Sequence, residues 1–156
     1  MKIPAKIIKY LDKSRIKYET VEHKTVYTAR DKAATLKVKP NVIGKTLVLK
    51  ADQGLIMVLV PGNKNLDLVK IKKIAKARRI DFISEKIIKN KFKGIKLGAI
   101  PPFGEIWKLP MFIDRGLAKE KNIFVSSGIY EASFKLSPKI FEKLGTTLGN
   151  FSKAKR

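Results

Sequence analysis

The sequence predicts a single α+β domain, a mixed β-sheet or barrel surrounded by helices. Three observations lead there. A chain of 156 residues is long enough to bury one core and short for two. The stretch "KTLVLKADQGLIMVLVPG" (45–62) is two β-rich runs joined at Asp52, Gln53 and Gly54, which is a hairpin signature. Strand and helix signals are interspersed elsewhere, yet the hairpin and the closely spaced later strands break the regular alternation that a doubly wound fold requires.

Each element follows from local pattern. Ala5 to Ser14 sets Ile7, Ile8 and Leu11 at helical spacing with lysines outside, a short amphipathic helix. "IKYETVEH" alternates as a strand does. Thr28 followed by Asp31 in "TARDKAATL" resembles a capping box, opening a helix that stops before Pro40. After the hairpin, Leu68, Ile71, Ile74 and Ala75 repeat near a 3.6 period and predict a helix with a lysine-rich outer face. "RRIDFIS" reads as a short strand, and Ser84 with Glu85 starts a helix that ends by Gly94. "LPMFID" and "NIFVSSG" read as strands on either side of "RGLAKEK". "EASFKLS" alternates, and Ser137 with Pro138 then gives a helix start for "SPKIFEKL". Residues 146–156 carry few apolar anchors and read as a loose basic tail.

Composition narrows the function classes. Lysine and arginine total 35 against 13 acids, a formal net charge of +22. A field of that sign attracts polyanions through phosphate neutralisation and counterion release, so nucleic acid is the first partner to consider. Of the 35 cations 29 are lysine, a bias that a solvated surface also produces. Lysine suits tracking of a phosphate backbone better than reading of bases. Cysteine is absent and His23 is the single histidine, which excludes thiol nucleophiles, disulfides and Cys/His zinc sites. A Ser-His-Asp triad has only His23 to draw on, and no G-x-S-x-G elbow accompanies it. The longest apolar run, Leu55 to Pro61, is too short to cross a bilayer, and the N-terminus mixes charge into every turn. The expected location is the cytoplasm, with no membrane partner.

Three segments lack cations: Ala51 to Asn63, Leu97 to Trp107 and Asn122 to Phe134. The first and third contain hydrophobic strands, which exclude charge on burial grounds alone. The middle one, "LGAIPPFGEIW", holds Gly98, Pro101, Pro102 and Gly104, residues that fix or free the backbone while offering few polar side chains. Such a loop either connects elements or presents its own amides to a ligand.

Taken together, "IGKTLVLK", "VPGNKNLDLVKIKKIAKARRI", "LGAIPPFG", "LPMFID" and "VSSG", in that order, give a sequence that resembles the YbaK/prolyl-tRNA-editing domain family. The likeness runs from about the first helix to "SPKIFEKL" and assigns residues 1–145 to an editing domain. It implies a mixed α+β barrel that hydrolyses the ester of wrongly charged tRNA, notably tRNA for proline carrying alanine or cysteine. It also implies a free-standing protein acting on the acceptor end of aminoacyl-tRNA, with prolyl-tRNA synthetase as a second candidate partner and no cofactor.

The resemblance places the family's functional lysine at Lys45 and its glycine-x-x-x-proline loop at Gly98, Ala99, Ile100, Pro101 and Pro102, with Phe103 and Gly104 following. Those amides are expected to surround the aminoacyl end, making the loop a pocket wall. The family's amino-acid-reading polar position falls by spacing on Ser133. Ser126, Ser127 and Gly128 are expected in the same pocket, and His23 near its mouth. Substrate-assisted hydrolysis is implied, with a hydroxyl of the terminal adenosine placing water and Lys45 fixing a phosphate or carbonyl rather than acting as a base. Phe103 and Trp107 suit either adenine stacking or core packing. Asp67 and Asp114 read as capping or turn residues. The alternative to a deacylase is a non-catalytic RNA-binding module on the same fold.

Overall fold

The computed structural model describes residues 2–52 and 54–155. Gln53, the centre of the expected hairpin turn, lies outside the described residues.

The hairpin organises the molecule. Strands β2 (Gly44–Ala51) and β3 (Gly54–Pro61) pair antiparallel over their whole length. β3 is buried on both faces: Met57 and Leu59 enter one core, and Ile56, Val58 and Val60 enter another. A strand covered on both sides reads as a continuous apolar run, as "LIMVLVP" does. β5 (Ile80–Phe82) flanks β2 antiparallel, while β6 (Met111–Asp114) and β9 (Thr147–Gly149) extend the other side in parallel. The result is a mixed five-stranded sheet, β5-β2-β3-β6-β9. Asp52 fastens its tip, since Oδ1 accepts from the amides of Arg78 and Arg79 at 3.0 Å each.

A second, antiparallel sheet joins β1 (Tyr18–Glu22), β8 (Ala132–Leu136) and β7 (Ile123–Ser126) in the order β1-β8-β7. A parallel bridge between Ile43 and Phe124 links it to the entrance of β2. The larger core lies between the two sheets and takes Ile7 and Leu11 from helix α1 (Ala5–Lys13), as their spacing predicts. The smaller core lies on the far face of the hairpin under α3 (Leu68–Ile74), where Ile71 is fully buried.

The predicted caps form. The Thr28 hydroxyl accepts from the Asp31 amide at 3.1 Å at the start of α2 (Ala29–Leu36), and Asp67 Oδ1 accepts from Val69 and Lys70 at 3.1 Å before α3. The Ser84 hydroxyl caps α4 (Glu85–Lys91). The exception is α6 (Lys139–Lys143), where the expected start shifts by one residue: Pro138 takes the N-cap position, and the Ser137 hydroxyl accepts from the Lys139 amide at 3.3 Å. Asp114 caps the short helix α5 (Arg115–Ala118).

The loose tail is corrected by the structure. Besides β9, residues Ser152–Ala154 form β10, which pairs with β4 (Lys64–Leu66), a strand the sequence does not announce. Phe151 is fully buried, and the carboxylate of Asp114 accepts from its amide at 2.8 Å and from the Ser152 hydroxyl at 2.9 Å. One large anchor and one buried carboxylate hold a segment that has too few apolar residues to advertise itself. Among the described residues no helix is long and apolar enough to cross a membrane.

Candidate active site

Where β2 begins, the first turn of α2, the loop 96–99 and the β7–β8 turn enclose a recess with a cavity volume of about 40 Å³. Lys45, Thr46, Lys32, Gly98, Ser126 and Tyr130 are among its lining residues. Lys45 is partly buried and donates from Nζ to the Lys64 carbonyl at 3.3 Å. Burial, and after it the nearby Lys155 ammonium, pushes its pKa down. Lys45 also borders an open groove with Asp67, Val69, Phe82 and Lys153, so it stands at the junction of recess and groove.

Hydrogen bonds between remote segments fix the loop. The Lys96 amide donates to Gly128 O at 2.9 Å, and the Tyr130 hydroxyl donates to Leu97 O at 2.7 Å. Gly98 then adopts φ +83°, a conformation that glycine reaches without penalty, and stays exposed at the recess. The Ala99 amide is committed to Lys96 O at 3.0 Å and the Phe103 amide to Pro101 O at 2.9 Å. The Gly98 amide is committed to neither.

Beyond Ala99 the expectation of a continuous pocket wall is corrected. Ile100, Pro101, Pro102, Phe103 and Gly104 are buried, and the Phe103 ring packs in the core against Tyr10 and Phe141 at 5.8 and 6.2 Å. Trp107 packs edge-on to Phe92 at 4.7 Å. Pro102, Phe103 and Gly104 border a separate depression with Tyr10 and Thr146. Cations are missing from "LGAIPPFGEIW" chiefly because most of it is core, and only Gly98 and Ala99 reach the recess.

The serines also divide. Ser126 lines the recess, whereas the Ser127 hydroxyl is buried and donates to Ala132 O at 2.6 Å inside its own turn. Gly128, at φ +104°, contributes the carbonyl that holds Lys96. His23 Nε2 meets Ser133 Oγ at 2.9 Å, so two residues singled out separately form one pair. His23 borders a neighbouring depression with Thr20 and Glu22, and Ile129 alone lines both hollows.

Three recess residues escape sequence reasoning. Lys32 is partly buried, and burial pushes its pKa down to about 8. No local pattern separates it from the other lysines. Tyr27 stands at the recess, 67% exposed as a residue, with its ring edge-on to Tyr130 at 4.7 Å. Thr46 Oγ1 is buried without a hydrogen-bond partner among the described residues. Its place beside Lys45 in "KTLVLK" was the one available signal.

Residues 23–144 match the model of the aminoacyl-tRNA editing domain. The chain belongs to that family. Over 154 residues this editing domain is 28% identical to the prolyl-tRNA editing protein ProX of Acetoanaerobium sticklandii, covering 95% of this chain and 93% of that protein. It is 31% identical over 114 residues to the proline–tRNA ligase of Thermosipho melanesiensis, covering 73% of this chain and 20% of the ligase. The editing domain thus spans about one fifth of the proline–tRNA ligases it matches. Its fold is similar to a candidate trans-editing enzyme for prolyl-tRNA synthetase, with TM-score 0.81, 21% identity and coverage of 98% of this chain and 100% of that one. A hypothetical protein of known crystal structure superposes with TM-score 0.87 at 22% identity, over 95% of this chain and 99% of that one. In this editing domain, the start of strand β2 and the loop 96–99 meet at the recess.

Proposed function

We propose that this editing domain acts in trans as an aminoacyl-tRNA deacylase, releasing alanine or cysteine from mischarged tRNA for proline. The observation that carries the reading is that Lys45 and Gly98 line one small recess. The family match and the likeness to ProX support the tRNA ester as substrate. The likeness to proline–tRNA ligases supports prolyl-tRNA synthetase as a functional partner.

In the proposed reaction a water oxygen adds to the ester carbonyl, the carbonyl–ribose bond breaks, and the proton from water ends on the ribose oxygen. The Gly98 amide and the Lys45 ammonium are suited to holding the negative charge that develops on oxygen, in a hollow where such donors count for more than in water. A hydroxyl of the terminal ribose serves to orient the water. Tyr27, exposed at the recess, offers its face to the terminal adenine, a role that Phe103 and Trp107, packed in the core, cannot take.

The test is a deacylation panel with alanyl-, cysteinyl- and prolyl-tRNA for proline. Release of the first two, sparing of the third and loss of release in Lys45→Ala are expected. Tight tRNA binding with no amino acid released from any of them would overturn the reading in favour of a non-catalytic binder.

A further inference from the structure

We infer that Lys32 is a second anion-binding group of the recess, receiving a phosphate of the bound terminal nucleotide alongside Lys45. This deepens the function proposed above by dividing substrate recognition between two cations. Lys32 lines the same recess as Lys45, Gly98 and Ser126. It is partly buried, and its ammonium has no hydrogen bond or ion pair among the described residues. It is the fourth residue of α2, near the end where the helix dipole is positive and disfavours a cation. The other titratable groups lining the recess are Lys45, Tyr27 and Tyr130, and no carboxylate is among them. The 3-10 turn Pro40–Val42, which packs against α2, carries no charged side chain either.

The folded chain therefore holds an ammonium where burial and the helix dipole oppose it. An arriving anion would offset both. The esterified amino acid cannot be that anion, because its carboxyl is blocked and its amino group is cationic, whereas the nucleotide brings phosphate. Phosphate binding would draw a proton onto Lys32, whose pKa is about 8, so affinity would fall as pH rises through that value.

Adenosine 5′-monophosphate and adenosine provide the test, compared by calorimetry at about pH 7 and about pH 9. Wild-type protein is expected to prefer the monophosphate, with the preference shrinking at the higher pH. Lys32→Met should lower the preference about tenfold near neutrality while melting no lower than wild type. Lys32→Arg should keep it and weaken its pH dependence, since guanidinium stays charged. An exposed-surface control, Lys143→Met, should behave as wild type. Retention of the full preference in Lys32→Met overturns the inference, even if the deacylation panel succeeds. A Lys32-dependent preference with no deacylation of any tRNA leaves this site standing and sinks the hydrolase reading instead.

Discussion

His23 and Ser133, 110 positions apart in the chain, are joined by a 2.9 Å hydrogen bond between Nε2 and Oγ. The other ring nitrogen, Nδ1, lies 2.8 Å from the Lys24 carbonyl, which only accepts. Neutral His23 therefore carries its proton on Nδ1, and the Ser133 hydroxyl donates to Nε2. Ser133→Ala should lower stability by about 1–2 kcal/mol in denaturant titrations. Imidazole nitrogen chemical shifts in the wild type should report the Nδ1–H tautomer. Loss of turnover as deep as in Lys45→Ala, at unchanged stability, would instead draw the pair into the reaction.

Two glycines of one loop should fail differently. A Cβ at Gly104 would lie 2.6 Å from the Leu109 carbonyl oxygen, a backbone atom that cannot swing away. Gly104→Ala is expected to cost about 2–3 kcal/mol of stability. At Gly98 the nearest atom, Tyr27 O, is 4.0 Å away, and only the φ of +83° resists a side chain. Gly98→Ala should cost about 1–2 kcal/mol and lower turnover more than folding. Parallel thermal melts and single-turnover assays separate the two.

Tyr27→Ser should raise KM about tenfold while leaving kcat within a factor of about two, since a stacked base is worth about 1–3 kcal/mol. The residue is 67% exposed, so the melting temperature should hardly move. A large drop in stability would mean that the contact with Tyr130 is structural and the stacking role is mistaken.

Lys32 also makes a signature in stability against pH. Its folded pKa of about 8 lies below the ordinary 10.5, so above pH 8 the unfolded chain retains the proton more strongly than the folded one. Its contribution to stability therefore rises between about pH 8 and about pH 10.5 and is smallest near neutrality. Lys32→Met should be more stable than wild type at neutral pH by about 1–3 kcal/mol, with the gap closing in alkali. Urea unfolding at several pH values measures it.

Asp114→Ala should release the C-terminal strands. Its buried carboxylate accepts from Gly116, Phe151 and Ser152, and the loss should cost about 3 kcal/mol. Limited proteolysis should then cut within residues 147–154 before the rest of the chain.

The hairpin, the amphipathic helices and the Thr28 and Asp67 caps were legible because short-range periodicity and capping chemistry determine them. The place of Lys45 near the start of a strand was legible from the same hairpin pattern. The strands β4, β9 and β10 were not, because each has three residues and is held by partners remote in sequence. The division of the loop at Ala99 was hidden for a related reason. Glycine and proline punctuation looks the same whether Ile100 and Phe103 face a ligand or the interior. Lys32 is distinguished only by what surrounds it in three dimensions.

The two-sided burial of β3 has a consequence for handling the protein. When the chain is unfolded, Leu55 to Pro61 becomes a bare, uncharged, β-prone ribbon, ready to stack on copies of itself. Lys50 and Lys64 bracket it and work as gatekeepers by mutual repulsion. Refolding yields should therefore drop with rising protein concentration, and drop further in high salt, where that repulsion is screened.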